Sequence, residues 1–191
     1  MRTIARALRR LTWPLMLTLL LTACGGERAS ALGTQPSDVN DADVLFVQLM
    51  IPHHQQAVDM AEVADKKATN PELRQLVDKI AALQDSEIKL MGGWLRSWGK
   101  PLRPGGLGHS AHSMPGMLSS RDLDKLDRLQ GPAFDKLFLQ LMIKHHKGAI
   151  TMAKEEQTKG RSKNVKEMAR WLITNQSAEI RRMEQILRTM P

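Results

Sequence analysis

Beyond residue 40 the apolar positions recur with helical period, and they do so twice. In "FVQLMIPHHQQAVDMA", residues 46 to 61, Met50, His54, Ala57 and Ala61 fall on one face at about 100° per residue, with Phe46 and His53 at its edge. "FLQLMIKHHKGAITMA", residues 138 to 153, repeats the pattern at an offset of 92 residues. Phe46, Met50, His53, His54, Ala57 and Met60 return as Phe138, Met142, His145, His146, Ala149 and Met152. The offset holds further on, where Gln84, Glu87, Ile88, Met91 and Leu95 return as Gln176, Glu179, Ile180, Met183 and Leu187. Each half therefore predicts a long helix, a short turn and a second long helix.

The turns have local causes. Asn70 is placed to cap a helix that has Pro71 at its first position, and Ser162 stands at the equivalent place in the second half. Gly160 ends the helix before it, and Pro132 in "QGPAF" restarts one. Ser119 with Asp122 three residues on opens a short extra helix. The expected organisation is a first hairpin over 41–98, a Gly/Pro linker over 99–118, and a short helix plus second hairpin over 119–191, forming one domain from 41 to 191. Two antiparallel helical pairs bury their apolar faces against each other as an all-α four-helix bundle.

The N-terminal stretch follows another logic. "MRTIARALRR" is a positive region, and the apolar run from Leu11 to Ala23 is too short to span a bilayer comfortably. With "LTAC" at 21 to 24 it reads as a lipoprotein signal over 1–23, with Cys24 lipidated and residues 24–40 as a flexible tether to a bacterial membrane. The expected location is extracytoplasmic, on a periplasmic or cell-surface face. Cys24 is the only cysteine, which excludes an intrachain disulfide and a cysteine-rich zinc site. The formal net charge is +8, and without Arg2, Arg6, Arg9 and Arg10 of the leader it is +4. The remaining basic residues are spread along helices with no interleaved aromatics, so nucleic acid is not an expected partner.

The histidines carry the candidate chemistry. All six lie in three clusters with methionine nearby: His53/His54, His145/His146, and His109/His112 with Met114 and Met117 in the linker. In an antiparallel hairpin, equal distance from the turn means equal height. His53 and His54 lie about 16 residues before Thr69 and Glu87 about 18 after it, at about 1.5 Å per residue. Met50, the His pair, Glu87 and Met91 thus share one layer, and Met142, His145, His146, Glu179 and Met183 form its repeat. Imidazole and thioether together suit copper, especially Cu(I). Glu87 and Glu179 are candidate ligands or the partners that orient the imidazoles. A quieter role stays open for the same residues: methionine fills cores, and a carboxylate can simply satisfy a buried histidine.

"FVQLMIPHHQQAVDMA", "MPGMLSSRDLDKL" and "GPAFDKLFLQLMIKHHKGAITMAKEE" resemble the bacterial secreted family known as domain of unknown function 305, over about residues 40 to 190. The resemblance implies a ferritin-like four-helix fold and extracytoplasmic copper binding of the CopM type, in tolerance or trafficking, without an established enzymatic activity. It carries over to Met50, His53, His54, Met142, His145, His146, Met114 and Met117 as candidate ligands. The expected function is a lipid-anchored copper-binding protein, not an enzyme, with a copper-handling protein as candidate partner. The alternatives are a ferritin-like di-metal oxidoreductase and a structural envelope protein. The first is disfavoured because no Glu-x-x-His occurs on these helices.

Overall fold

Five helices follow one another along the chain: α1 (Asp41–Lys67), α2 (Pro71–Ser97), α3 (Ser120–Asp127), α4 (Gly131–Lys159) and α5 (Lys163–Thr189). The computed structural model describes residues 38–105 and 114–190, all within one compact unit, and no strand occurs among the described residues. Cys24, His109 and His112 lie outside them. No helix among them is long and apolar enough to cross a membrane.

The helix starts are chemically specified. Asn40 and Asp43 form a reciprocal capping box on α1, each side chain accepting from the other's backbone N–H at 3.0 and 2.7 Å. Asn70 accepts from Glu72 and Leu73 ahead of Pro71, Ser162 caps α5 through Val165, and Ser119 and Asp122 box the start of α3.

Two hairpins, α1–α2 and α4–α5, pack tightly within themselves and meet chiefly through α1 and α4. The result is an all-α four-helix bundle with a pseudo-twofold relation between its halves. The ends of the bundle show the same relation. Asp43 at the start of α1 accepts from the backbone N–H groups of Arg161 and Ser162 in the α4–α5 turn. Asp135, its counterpart at the 92-residue offset, accepts from Thr69 N–H, Thr69 O–H and Asn70 N–H in the α1–α2 turn. Each hairpin thus completes the other's turn through a fully buried carboxylate.

The apolar core is in two clusters. One gathers Ala57, Met60, Leu73, Ile80, Phe134, Phe138, Met142 and Met183. The other gathers Val47, Met50, Met91, Trp94, Ala149, Met152, Ala169 and Leu172. Along every long helix the residues between the two clusters are polar and buried: His53 and His54 on α1, Gln84 and Glu87 on α2, His145 and His146 on α4, and Gln176 on α5. A polar layer therefore crosses the middle of the bundle.

Candidate metal centre

Burying four imidazoles in one layer is costly unless their nitrogens find partners. All four rings are sealed from solvent, at 0 to 1% exposure. His53 and His145, pseudo-equivalent residues on the two central helices, lie ring against ring with centroids 3.8 Å apart and planes tilted by 36°. The pseudo-twofold axis passes close to this contact. Sequence heights place one His layer in each hairpin; the bundle merges the two into a single four-His layer, because α1 and α4 are the pair that meet.

The outer members are held by carboxylates. His54 Nε2 lies 2.8 Å from Glu87 Oε2, and His146 Nε2 lies 2.7 Å from Glu179 Oε2. Trp171, half-exposed on α5, donates its indole N–H to Glu87 Oε1 at 3.1 Å and so ties the second hairpin to the first one's His–Glu pair. Glu179 instead receives Asn175 of its own helix at 3.2 Å. His53 Nε2 lies 3.1 Å from the carbonyl oxygen of Pro115 in the linker.

These partners settle which nitrogens are free. A carbonyl or carboxylate can only accept, so His53, His54 and His146 each carry a hydrogen on Nε2, and in a neutral ring Nδ1 is then the nitrogen with the free lone pair. All three Nδ1 atoms lack a partner, and His145 lacks one at both ring nitrogens. Gln84 is unpartnered at both ends of its amide and Gln176 at its oxygen. Eight of the eleven orphaned buried side-chain nitrogens and oxygens among the described residues thus belong to this layer. Native cores keep such orphans to a few, and each calls for an explanation. Burial, then the neighbouring His54, lowers the pKa of His53 to about 3, and burial with His53 nearby holds His145 well below its ordinary value. Both rings are neutral near pH 7, the form in which imidazole binds a metal.

The comparisons with known proteins fit this arrangement. The sequence profile of the family described as domain of unknown function (DUF305) matches residues 43–187. The chain belongs to the DUF305 family. A DUF305 protein from Streptomyces coelicolor, predicted to be secreted, is 34% identical with a TM-score of 0.72, covering 76% of this chain and 91% of its own. A DUF305 fragment from Deinococcus radiodurans is 32% identical with a TM-score of 0.70, over 78% of this chain and 97% of its own. CopM in its Cu(I)-bound form is 37% identical with a TM-score of 0.64, over 76% of this chain and 95% of its own, and CopM is also known bound to Cu(II) and to silver. No curated protein matches the chain.

Within this DUF305 protein the expected site residues fall into place unevenly. His53, His54, His145, His146, Glu87 and Glu179 lie in the layer itself. Met50 and Met91 pack into the apolar cluster on one side of it, Met142 and Met183 into the cluster on the other. Met114 is buried in the cluster that holds Met50 and Met91, with the partly buried Met117 packed against it. Among the described residues no three His, Cys, Asp or Glu side chains converge tightly enough to hold a metal by themselves. A centre here must add thioethers or draw the imidazoles together. Sequence reasoning missed Gln84 and Gln176 as members of the layer, although both repeat at the 92-residue offset, and it missed the Pro115 carbonyl, which no side-chain pattern can reveal.

Proposed function

We propose that this DUF305 protein is an extracytoplasmic copper-binding module, lipid-anchored through Cys24, that takes Cu(I) in the four-His layer. The observation that carries this reading is the set of buried, unpartnered imidazole nitrogens between two methionine-bearing clusters. Nδ1 of His53, His54 and His146 and a ring nitrogen of His145 would be the imidazole donors, with the thioethers of Met50, Met91, Met142 and Met183 to either side. Such a donor set favours Cu(I) over harder ions and needs no deprotonation beyond the neutral imidazoles. Glu87 and Glu179 would orient His54 and His146 rather than ligate, since each already holds an Nε2–H. CopM, similar over most of both chains, binds Cu(I), Cu(II) and silver, which supports the same metal class here. Met114 and Met117, with His109 and His112 outside the described residues, would pass the ion to or from a copper-handling partner. Among the described residues the layer holds two carboxylates, Glu87 and Glu179, and each serves a histidine, which favours a binding role over a di-metal oxidase.

The test is a Cu(I) titration against a competing chelator, comparing the intact protein with a variant carrying His53→Leu, His54→Leu, His145→Leu and His146→Leu. Circular dichroism checks that the bundle persists. Copper uptake should be lost or fall severalfold. Unchanged uptake would remove the His layer from the function. Separately, Cys24→Ala should release the protein from membranes or leave it as an unprocessed precursor; membrane retention with a cleaved leader would refute the anchor.

A further inference from the structure

The duplication is broken where the linker meets the layer, and the break has a built cause. Residues Met114–Leu118 occur once, yet they cross both central helices. Leu118 is buried in the apolar cluster that holds Met142 and Met183, and Met114 in the cluster that holds Met50 and Met91. The segment therefore spans the polar layer from one side to the other. Two residues at equivalent positions in the repeat dock it, and they differ completely. On α1, Gln56 grips the backbone of Leu118 at both ends, accepting its N–H at 2.8 Å and donating to its carbonyl at 3.1 Å. On α4 the same repeat position is Gly148. There the Pro115–Gly116 backbone lies directly on the helix, and any Cβ on Gly148 would overlap the Pro115 carbonyl. Gly116 has φ of 80°, and a Cβ on it would come within 2.7 Å of Gly148 Cα and of the His145 carbonyl oxygen. One repeat supplies a clamp and the other a seat.

We propose that Gln56 and Gly148 are positioning residues, which seat Met114–Leu118 so that the Pro115 carbonyl selects Nδ1 of His53 as its metal-facing nitrogen and the segment covers the centre. The proposal rests on the reading of the His layer as a metal site. The Pro115 carbonyl accepts the Nε2–H of His53 at 3.1 Å, whereas His145 makes no hydrogen bond of ordinary geometry and only the backbone of His53 approaches it. The pair at the pseudo-twofold axis is thereby made unequal: His53 is locked in one tautomer, and His145 is held far less firmly. With all four rings sealed from solvent, the seated segment also stands between the α1–α4 side of the layer and the outside. Its docking then sets how fast an ion leaves.

The experiment uses Gln56→Leu and Gly148→Ala separately in the intact protein, with two readouts. The first is long-range proton–nitrogen correlation of the imidazole rings without metal. Wild type should show His53 as a single Nε2–H tautomer. In each variant its two ring nitrogens should shift toward averaged values, with the tautomer ratio moving about fivefold, as loss of one hydrogen bond implies. His54 and His146, held by Glu87 and Glu179, should stay Nε2–H. The second is transfer of bound Cu(I) to a chelator, expected to quicken at least about fivefold. A merely structural role would not move the ring-nitrogen pattern of one histidine alone. An unchanged His53 tautomer in folded Gln56→Leu, or a wild-type His53 protonated on Nδ1, overturns the proposal. Should Gly148→Ala fail to fold, Gln56→Leu decides. If wild type takes up no copper, the functional reading falls while the ring pattern still judges the positioning.

Discussion

His145→Leu is the sharpest test of why the polar layer exists. His145 is buried to 1% exposure, is held neutral, and makes no hydrogen bond of ordinary geometry at either ring nitrogen. A neutral imidazole carries one N–H, and an unpaired buried donor costs about 1–3 kcal/mol. Leucine removes both orphan atoms and fills much of the same space with apolar surface. Against this stands the ring contact with His53 at 3.8 Å, an aromatic pair worth about 0.5–1.5 kcal/mol. The net expectation for the metal-free protein is stabilisation by about 1–2 kcal/mol, or a rise in Tm of about 2–4 °C per kcal/mol at this size. Copper should reverse the ranking. A ligand at a hundredfold its Kd stabilises the native state by about 2.7 kcal/mol, and the variant should forfeit most of that gain. Calorimetric or fluorescence melts, run without oxygen, with and without Cu(I), measure both arms. A metal-free variant that melts below wild type would show that His145 is a satisfied core residue and that the accounting of orphan atoms is wrong.

Two more outcomes follow from other buried groups. Glu156 on α4 has no donor at either carboxyl oxygen and faces Asp43, so burial and that neighbour push its pKa up to about 8. The folded chain therefore holds a proton that the unfolded chain releases near 4.5, and stability should fall as pH rises between about 4.5 and 8. Glu156→Gln offers Asp43 an amide N–H at every pH, so unfolding free energies from urea titrations should lose that slope and improve at pH 8 by about 1–2 kcal/mol; an unaltered slope would place the proton elsewhere. Asp135→Ala leaves two backbone N–H groups of the α1–α2 turn without their acceptor, and should cost about 2–4 kcal/mol in a denaturant titration. A loss under 1 kcal/mol would mean that the turn is satisfied by water.

The helices and their starts were legible because their causes are local. Asn70, Ser119, Asp122 and Ser162 cap helices through backbone groups two or three residues away, and Pro71 suits the first helical position. The His pairs stood out because repetition in register separates them from chance. What the sequence could not convey is which helices meet. An offset of 92 residues says that two halves are alike; it does not say that His53 faces His145 rather than remaining with its own hairpin. Trp171 on Glu87 is a second such case, since the pseudo-equivalent of Trp171 is Lys79 and the repeat gives no warning of it. Asp43 and Asp135 did carry a signal, the shared offset, but a surface aspartate at a helix start reads first as a partner of the macrodipole.

The exchange of turn-completing carboxylates has a consequence for how the chain is held as a unit. Asp43 serves the α4–α5 turn and Asp135 the α1–α2 turn, so the contact is isologous, the kind made by two copies of one subunit. A hairpin cut from its partner leaves its turn's N–H groups unanswered and its aspartate without a recipient. Separated halves should therefore seek each other, or a second copy of themselves, and reassociation of fragments would follow the geometry of a dimer that the linker has made permanent.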